Sequence, residues 1–132
     1  MAVLRRWQIS KQWKPYRSRN LLYLDFGNRS VCNTIADCDD RAQTCLAKSV
    51  RLLVEIDDIR RVSSYHFKEV REGLYEVRCE VTRLYWCRHP ALENSIVLLL
   101  LVPNGKTKQS ADINEALRLK EIACQITEIT EN

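Results

Sequence analysis

The side chains with the most distinctive chemistry in this sequence are its six cysteines and two histidines. The cysteines stand at positions 32, 38, 45, 79, 87 and 124, and no two of them have the C-x-x-C spacing typical of structural zinc sites. Arg5 and Arg6 near the N-terminus are not followed by an apolar segment, so no secretory signal peptide is expected. We therefore expect free, mostly buried thiols rather than disulfides or a metal site.

The histidines, His66 and His89, are of the residue type that most often transfers protons near neutral pH. His89 precedes Pro90 between two expected strands, and catalytic groups are frequent on such loops. It is a candidate catalytic residue, although a loop histidine more often has another role. The sequence contains no Ser-His-Asp arrangement, no Walker loop and no paired-carboxylate motif.

The distribution of charge divides the chain into two parts. With 132 residues, 45% of them apolar and 29% charged, the chain has the length of one domain and a composition that excludes global disorder. The formal net charge is +4, but residues 1–20 carry six basic residues and no acidic one, so residues 21–132 have an acidic excess of two. We predict a basic, aromatic N-terminal extension over residues 1–20. Its tryptophans either pack an extra strand or helix onto the domain or anchor a cationic arm for RNA.

Hydrophobic periodicity predicts a strand, a helix, several consecutive strands and a final helix. The predicted strands cover residues 21–26, 74–81, 82–87 and 96–102, and the predicted helices cover residues 37–59 and the segment that begins near Ser110. The seven apolar residues at 96–102 indicate a strand buried on both faces at the centre of the sheet.

Consecutive strands without crossover helices favour antiparallel pairing. The expected fold class is therefore α+β, with a small antiparallel or mixed sheet packed with N-terminal and C-terminal helices. An apolar run of seven residues is too short for a membrane-spanning helix, which needs about 20. We expect a cytoplasmic protein without membrane partners.

Several short motifs occur in an order that is typical of a known family. They are Phe-Lys-Glu-Val at 67–70, Gly-Leu-Tyr-Glu-Val-Arg at 73–78, Arg-Leu-Tyr-Trp at 83–86, the apolar run at 96–102, Lys-Thr-Lys-Gln at 106–109 and the helix start at 113–120. From about residue 37 onward the sequence resembles the RelE/ParE superfamily of toxin–antitoxin toxins, closest to its HigB-like branch. The motifs span about 70% of the chain.

The resemblance implies a RelE-like toxin domain over residues 21–132. Such a toxin is an mRNA interferase: a metal-independent endoribonuclease, without a cofactor, that cuts mRNA on the ribosome and so inhibits translation. The implied partners are the ribosome, mRNA and a cognate antitoxin protein of the helix-turn-helix type. The reaction would be attack of a ribose 2′-hydroxyl on the adjacent phosphate, which needs a proton acceptor, a cation for the phosphorane and a proton donor.

The same resemblance indicates which residues would do this. Arg83 is the expected phosphate ligand, because a guanidinium forms a bidentate fork and stays charged. Arg78 on the neighbouring motif would add a second fork, and with His89 these two form the predicted catalytic set. The predicted RNA-binding residues are Tyr85 and Trp86, for stacking on bases, and Lys68, Lys106 and Lys108, for flanking phosphates.

Each of these residues also has an ordinary structural interpretation. Arg78 and Arg83 could form the polar face of a strand, paired with Glu76 and Glu80, and Trp86 could belong to the core. The alternative functions are a non-enzymatic toxin of the same fold that blocks a protein such as DNA gyrase, and an inactive fold relative that serves as a binding module. The motifs at 73–78 and 83–86 favour the ribonuclease, whereas the absence of a histidine or tyrosine after His89 favours these two alternatives.

Overall fold

The computed structural model describes residues 2–7, 20–27, 30–55, 68–103 and 109–131. Within these ranges the fold is α+β, with one six-stranded mixed sheet and three helices. The strands are β1 (Val3–Arg6), β2 (Asn20–Asp25), β3 (Lys68–Arg71), β4 (Leu74–Cys79), β5 (Thr82–Arg88) and β6 (Ser95–Val102). The helices are α1 (Val31–Ala36), α2 (Asp40–Glu55) and α3 (Gln109–Gln125).

The sheet has the order β1-β2-β6-β5-β4-β3. Strands β3 to β6 follow one another as antiparallel neighbours, which confirms the antiparallel pairing predicted for consecutive strands. Strand β2 pairs with β6 in parallel, so the sheet is mixed. Strand β6 lies between β2 and β5, as its all-apolar sequence predicted, since a central strand is covered on both faces.

The start of the N-terminal extension belongs to this sheet. Strand β1 pairs with β2, and Trp7 packs against the core. The backbone N–H of Thr130 donates to the Leu4 carbonyl at 2.7 Å, which fastens the C-terminal segment to β1. These contacts favour the packing interpretation for the beginning of the extension. Trp13 and the rest of residues 8–19 lie outside the described ranges.

The structure corrects the predicted helix at residues 37–59. The Ser30 side chain caps α1 by accepting from the Asn33 backbone N–H at 3.3 Å, and that short helix ends before residue 37. Helix α2 begins only after Asp39, whose carboxylate accepts from the Ala42 backbone N–H at 2.8 Å. Capping of this kind satisfies backbone donors that a helix leaves open at its start, so Asp39 sets the boundary. Residues 56–59 lie outside the described ranges.

Helices cover both faces of the sheet, giving three layers. Helices α1 and α2 pack on one face around Leu46, Val50, Val77 and Trp86. Helix α3 packs on the opposite face and contributes three buried residues to a second core: Ala116, Leu119 and Ala123. Two separate cores follow from this arrangement, because neighbouring residues of a strand point to opposite faces. No helix among the described residues is long and apolar enough to cross a membrane.

The structure also corrects the expectation of six free thiols. Cys45 on α2 and Cys79 at the end of β4 form a disulfide, with their Cα atoms 6.0 Å apart. The pairing arises because α2 lies against β4, a tertiary contact that cysteine spacing does not reveal. The four other cysteines, at positions 32, 38, 87 and 124, are free thiols as predicted, but only Cys87 is buried and the other three are half-buried.

Candidate functional site

The register of β4 and β5 brings the two predicted arginines together. Arg78 pairs directly with Arg83, and the next pair on the same face is Glu76 with Tyr85. Lys68 on β3 lies opposite Glu76 and extends this second row by one strand. We call the set of Lys68, Glu76, Arg78, Arg83 and Tyr85 the basic face, in which Glu76 and Tyr85 are buried and the three cations are exposed or half-buried. The structure therefore joins four of the predicted site residues on one side of one sheet.

An ion pair crosses the basic face. The Arg78 Nε donates to Glu76 Oε1. The Glu76 side chain is completely buried, whereas the Arg78 side chain is 43% exposed. A buried carboxylate is costly without a partner, so Arg78 stabilises Glu76 at least as much as Glu76 orients Arg78. The Arg78–Glu76 pair is the one that the structural interpretation of Arg78 predicted. Glu80, the other predicted partner of the two arginines, forms an ion pair with Arg41 at 2.8 Å.

Arg83 has a different environment from Arg78. Its Nη1 is buried and has no hydrogen-bond partner among the described residues. The guanidinium lies close enough to Tyr85 to lower the pKa of that phenol, although the two groups do not reach hydrogen-bond geometry. The structure thus holds one arginine in an ion pair and keeps a hydrogen-bond donor of its neighbour unused.

Tyr85 is held in its protonated form. Its side chain is fully buried, and this burial is the largest cause that raises the pKa of the phenol. The negative charges of Glu76 and Asp112 raise the pKa further, while Arg83 opposes them. The Tyr85 hydroxyl has no hydrogen-bond partner among the described residues. A buried, protonated phenol is a hydrogen-bond donor, not a platform on which a base could stack.

Two acidic members of this site were not recognised from the sequence. Glu76 was expected on the polar side of a half-buried strand, but α3 covers that side and buries it. Asp112, in the first turn of α3, was interpreted only as a favourable helix-dipole charge. Its Oδ2 is buried without a hydrogen-bond partner, as is the Oε2 of Glu76. The available signal for Glu76 was its place in the motif at 73–78, two residues before Arg78.

The arrangement supplies three kinds of chemical group side by side. Arg83 offers a guanidinium for an anionic oxygen, Glu76 and Asp112 offer carboxylate oxygens, and Tyr85 offers a phenol. Unpartnered polar atoms are rare in protein interiors and costly, and four of them belong to Tyr85 and to the three charged groups that shift its pKa, which makes these residues the candidate site. A fifth among the described residues, Trp86 Nε1, lies on the opposite face of the sheet. The groups of the candidate site can bind an oxyanion and exchange a proton with it. Alternatively, they can form hydrogen bonds with one another as a buried polar network.

Trp86 lies on the other face of the sheet. It is fully buried and stacks on Tyr75, with ring centroids 4.5 Å apart and an interplanar angle of 17°. Its ring is therefore covered by a protein side chain, which is the core interpretation of this residue. The structure does not bring Trp86 to the basic face.

His89 also lies away from the basic face. It follows the end of β5, about 20 Å along the strand from Arg83 at the usual rise per residue. Its Nδ1 accepts from the backbone N–H groups of Ala91 and Leu92, at 3.0 and 3.2 Å. The proton is consequently assigned to Nε2, which donates to the carbonyl of Ile126 at 2.7 Å and faces that of Ala123 at 3.0 Å. His89 joins the β5–β6 loop to the end of α3, a structural role.

The two remaining predicted residues, Lys106 and Lys108, lie outside the described ranges. The described residues around them are Val102, which pairs with Arg83, and Gln109, which begins α3. The described residues contain no group of three or more metal-ligating side chains. Comparison with known proteins found no matching family model, no matching curated protein and no matching solved structure.

Proposed function

We propose that this chain binds RNA phosphate on the basic face and acts as a RelE-like toxin, a ribosome-dependent endoribonuclease of mRNA that inhibits translation. The observation that carries the proposal is the direct opposition of Arg78 and Arg83 on one face of the sheet. Like charges at directly opposed positions destabilise a sheet, and Glu76 neutralises only Arg78, so the charge of Arg83 remains available to an anion. A phosphodiester is such an anion, and guanidinium forks match its geometry.

The groups around Arg83 support a cleavage reaction. Arg83 would stabilise the charge that develops on the phosphorane as the 2′-hydroxyl attacks. The Glu76 or Asp112 carboxylate would accept the proton of that hydroxyl as its oxygen bonds to phosphorus. The protonated Tyr85 would give its proton to the 5′-oxygen, which leaves as its bond to phosphorus breaks. No step in this sequence requires a metal ion.

The small mixed sheet between helices is compatible with the fold expected for such a toxin. The HigB-like assignment itself rests on the sequence motifs. As partner we propose an antitoxin whose acidic or amphipathic segment covers Lys68, Arg78, Arg83, Lys106 and Lys108, because opposite charge neutralises such a surface. Co-purification with the product of a neighbouring small reading frame tests this partner. A complex that leaves Arg78 and Arg83 accessible would contradict it.

A second candidate is a toxin or binding module without enzymatic activity, such as one that blocks DNA gyrase. It is favoured by the burial of Glu76, Tyr85 and the Asp112 oxygen beneath α3, which separates them from a substrate. Induced expression distinguishes the candidates. Growth arrest with new mRNA ends mapped by primer extension supports the ribonuclease, and growth arrest without such ends supports the block of a protein target. An absence of growth arrest supports the inactive binding module.

A further inference from the structure

The disulfide between Cys45 and Cys79 links helix α2 to the hairpin that carries the basic face. Cys79 directly follows Arg78 and pairs across the hairpin with Thr82, which directly precedes Arg83. The Arg41–Glu80 ion pair crosses the same gap beside the disulfide. One covalent bond therefore holds the end of the hairpin from which both arginines project.

The two sulfur-bearing residues differ in their access to solvent. Cys45 is half-buried and lines a groove along the outer side of α2. The side chains that share this groove are Asp40, Arg41, Thr44, Lys48, Ser49 and Leu52. Cys79 is 4% exposed and lies among the core residues beneath α2. The greater exposure of Cys45 thus gives a thiol from solution a path to this sulfur.

We propose that Cys45–Cys79 is a redox site that a dithiol reductant opens by attack on Cys45. The reductant thiolate forms a bond to Cys45 Sγ while the Cys45–Cys79 bond breaks, and the electron pair passes to Cys79 Sγ, which takes up a proton. The second thiol of the reductant then displaces Cys45, which also takes up a proton. The reductant leaves as its own disulfide, so two electrons have moved to the protein.

The surroundings of the disulfide disfavour internal reshuffling. Cys38 lines the same cavity as Cys45 and Cys79, so it is a candidate for attack on the disulfide. Burial raises the pKa of the Cys38 thiol, and the carboxylates of Asp39 and Asp37 raise it further. Only a thiolate attacks a disulfide, so the raised pKa of Cys38 slows its attack on the bond. Disulfides of cytoplasmic proteins are usually redox-active, which fits the location expected for this chain.

The matched variants Cys79→Ser and Cys45→Ser test the site, because each leaves one partner as a free thiol. Both proteins are incubated with glutathione disulfide under native conditions, and the adduct on each cysteine is followed by peptide mass mapping. Cys45 in Cys79→Ser is expected to react at least tenfold faster than Cys79 in Cys45→Ser. Equal rates, or a faster reaction at Cys79, would overturn the proposal.

A measurement on the unaltered chain covers the case in which a variant does not fold. The oxidised protein is exposed briefly to glutathione, quenched with acid and mapped for mixed disulfides. We expect the adduct on Cys45 and a free thiol at Cys79. The opposite distribution, or an oxidised folded protein with no Cys45–Cys79 cross-link, would also overturn the proposal.

Discussion

Arg78 and Arg83 lie directly opposite each other on β4 and β5, and their environments are unequal. Arg78 donates to the buried Glu76, whereas a buried nitrogen of Arg83 has no partner among the described residues. Arg78 is therefore engaged in an ion pair, whereas Arg83 has an N–H group without an acceptor among the described residues. On the proposed function, Arg83 would bind the anion while Arg78 keeps the interaction that stabilises the buried carboxylate.

The first prediction concerns the ion pair on the basic face. Arg78→Ala should lower the free energy of unfolding by about 2 kcal/mol, less than for a fully buried pair because Arg78 is partly exposed. The double variant Arg78→Ala with Glu76→Gln should recover part of that loss, since no unpaired carboxylate then remains buried. Urea unfolding of the single and double variants measures the coupling. Additive losses would show that the two side chains do not stabilise each other in solution.

The second prediction concerns the disulfide. Reduction of Cys45–Cys79 should lower the free energy of unfolding by about 3 to 4 kcal/mol, because the bond closes a loop with a sequence separation of 34. Urea unfolding with and without a reductant measures this difference. The variant with both Cys45→Ala and Cys79→Ala is the control and should not respond to reductant. Native protein purified without reductant should also expose four thiols on unfolding; six would contradict the disulfide.

The third prediction is a loss of stability at alkaline pH. Burial, followed by the charge of Asp25, raises the pKa of the Cys32 thiol to about 12 from an ordinary value of 9.0. Between pH 9 and 12 the unfolded chain has therefore released a proton that the folded chain retains, so stability falls as the pH rises. Cys32→Ala should flatten this fall. Urea unfolding between pH 8 and 10.5 provides the comparison, and equal slopes for wild type and Cys32→Ala would exclude Cys32 as the cause.

The fourth prediction separates His89 from catalysis. His89→Ala removes the hydrogen bonds between the β5–β6 loop and the end of α3, so it should cost about 2 kcal/mol of stability. RNA cleavage per folded molecule should remain at the wild-type level, because His89 is far from Arg83. Single-turnover cleavage at a temperature where both proteins are folded tests this. If the folded variant cleaved RNA more than tenfold more slowly than wild type, His89 would have a catalytic role and the prediction would be wrong.

The parts of the fold that local pattern determines were predictable. The apolar run at 96–102 predicted a central strand, and this is confirmed. The alternation of Tyr75, Val77, Cys79 and Val81 predicted one buried face of a strand over 74–81. Val77 and Cys79 are buried and Tyr75 is half-buried, but Val81 lies in the turn after β4 and is exposed. Helix α1 was missed because six residues are too few for a helical period to emerge. The boundary at Asp39 was missed because several aspartates crowd that turn, and only geometry shows which of them caps α2.

The site was predictable only in part, since burial depends on distant elements. The arginines were recognisable as motif residues, but the burial of Glu76 arises from α3, which follows it by more than thirty residues. Asp112 reaches the cluster by the same packing. Trp86 and Tyr85 are adjacent in sequence yet lie on opposite faces, so a single stacking platform was excluded by the period of the strand itself.

The central claim is that Arg83 on the basic face binds RNA phosphate during cleavage. Its most direct test compares induced expression of wild type, Arg83→Ala and Arg88→Ala, because Arg88 is an exposed arginine on the same strand that points to the other face. Message cleavage mapped by primer extension should fall about a hundredfold in Arg83→Ala, as expected for the loss of about 3 kcal/mol of transition-state stabilisation, and growth should recover. Arg88→Ala should cleave like wild type. Cleavage by a folded Arg83→Ala at the wild-type rate would contradict the account.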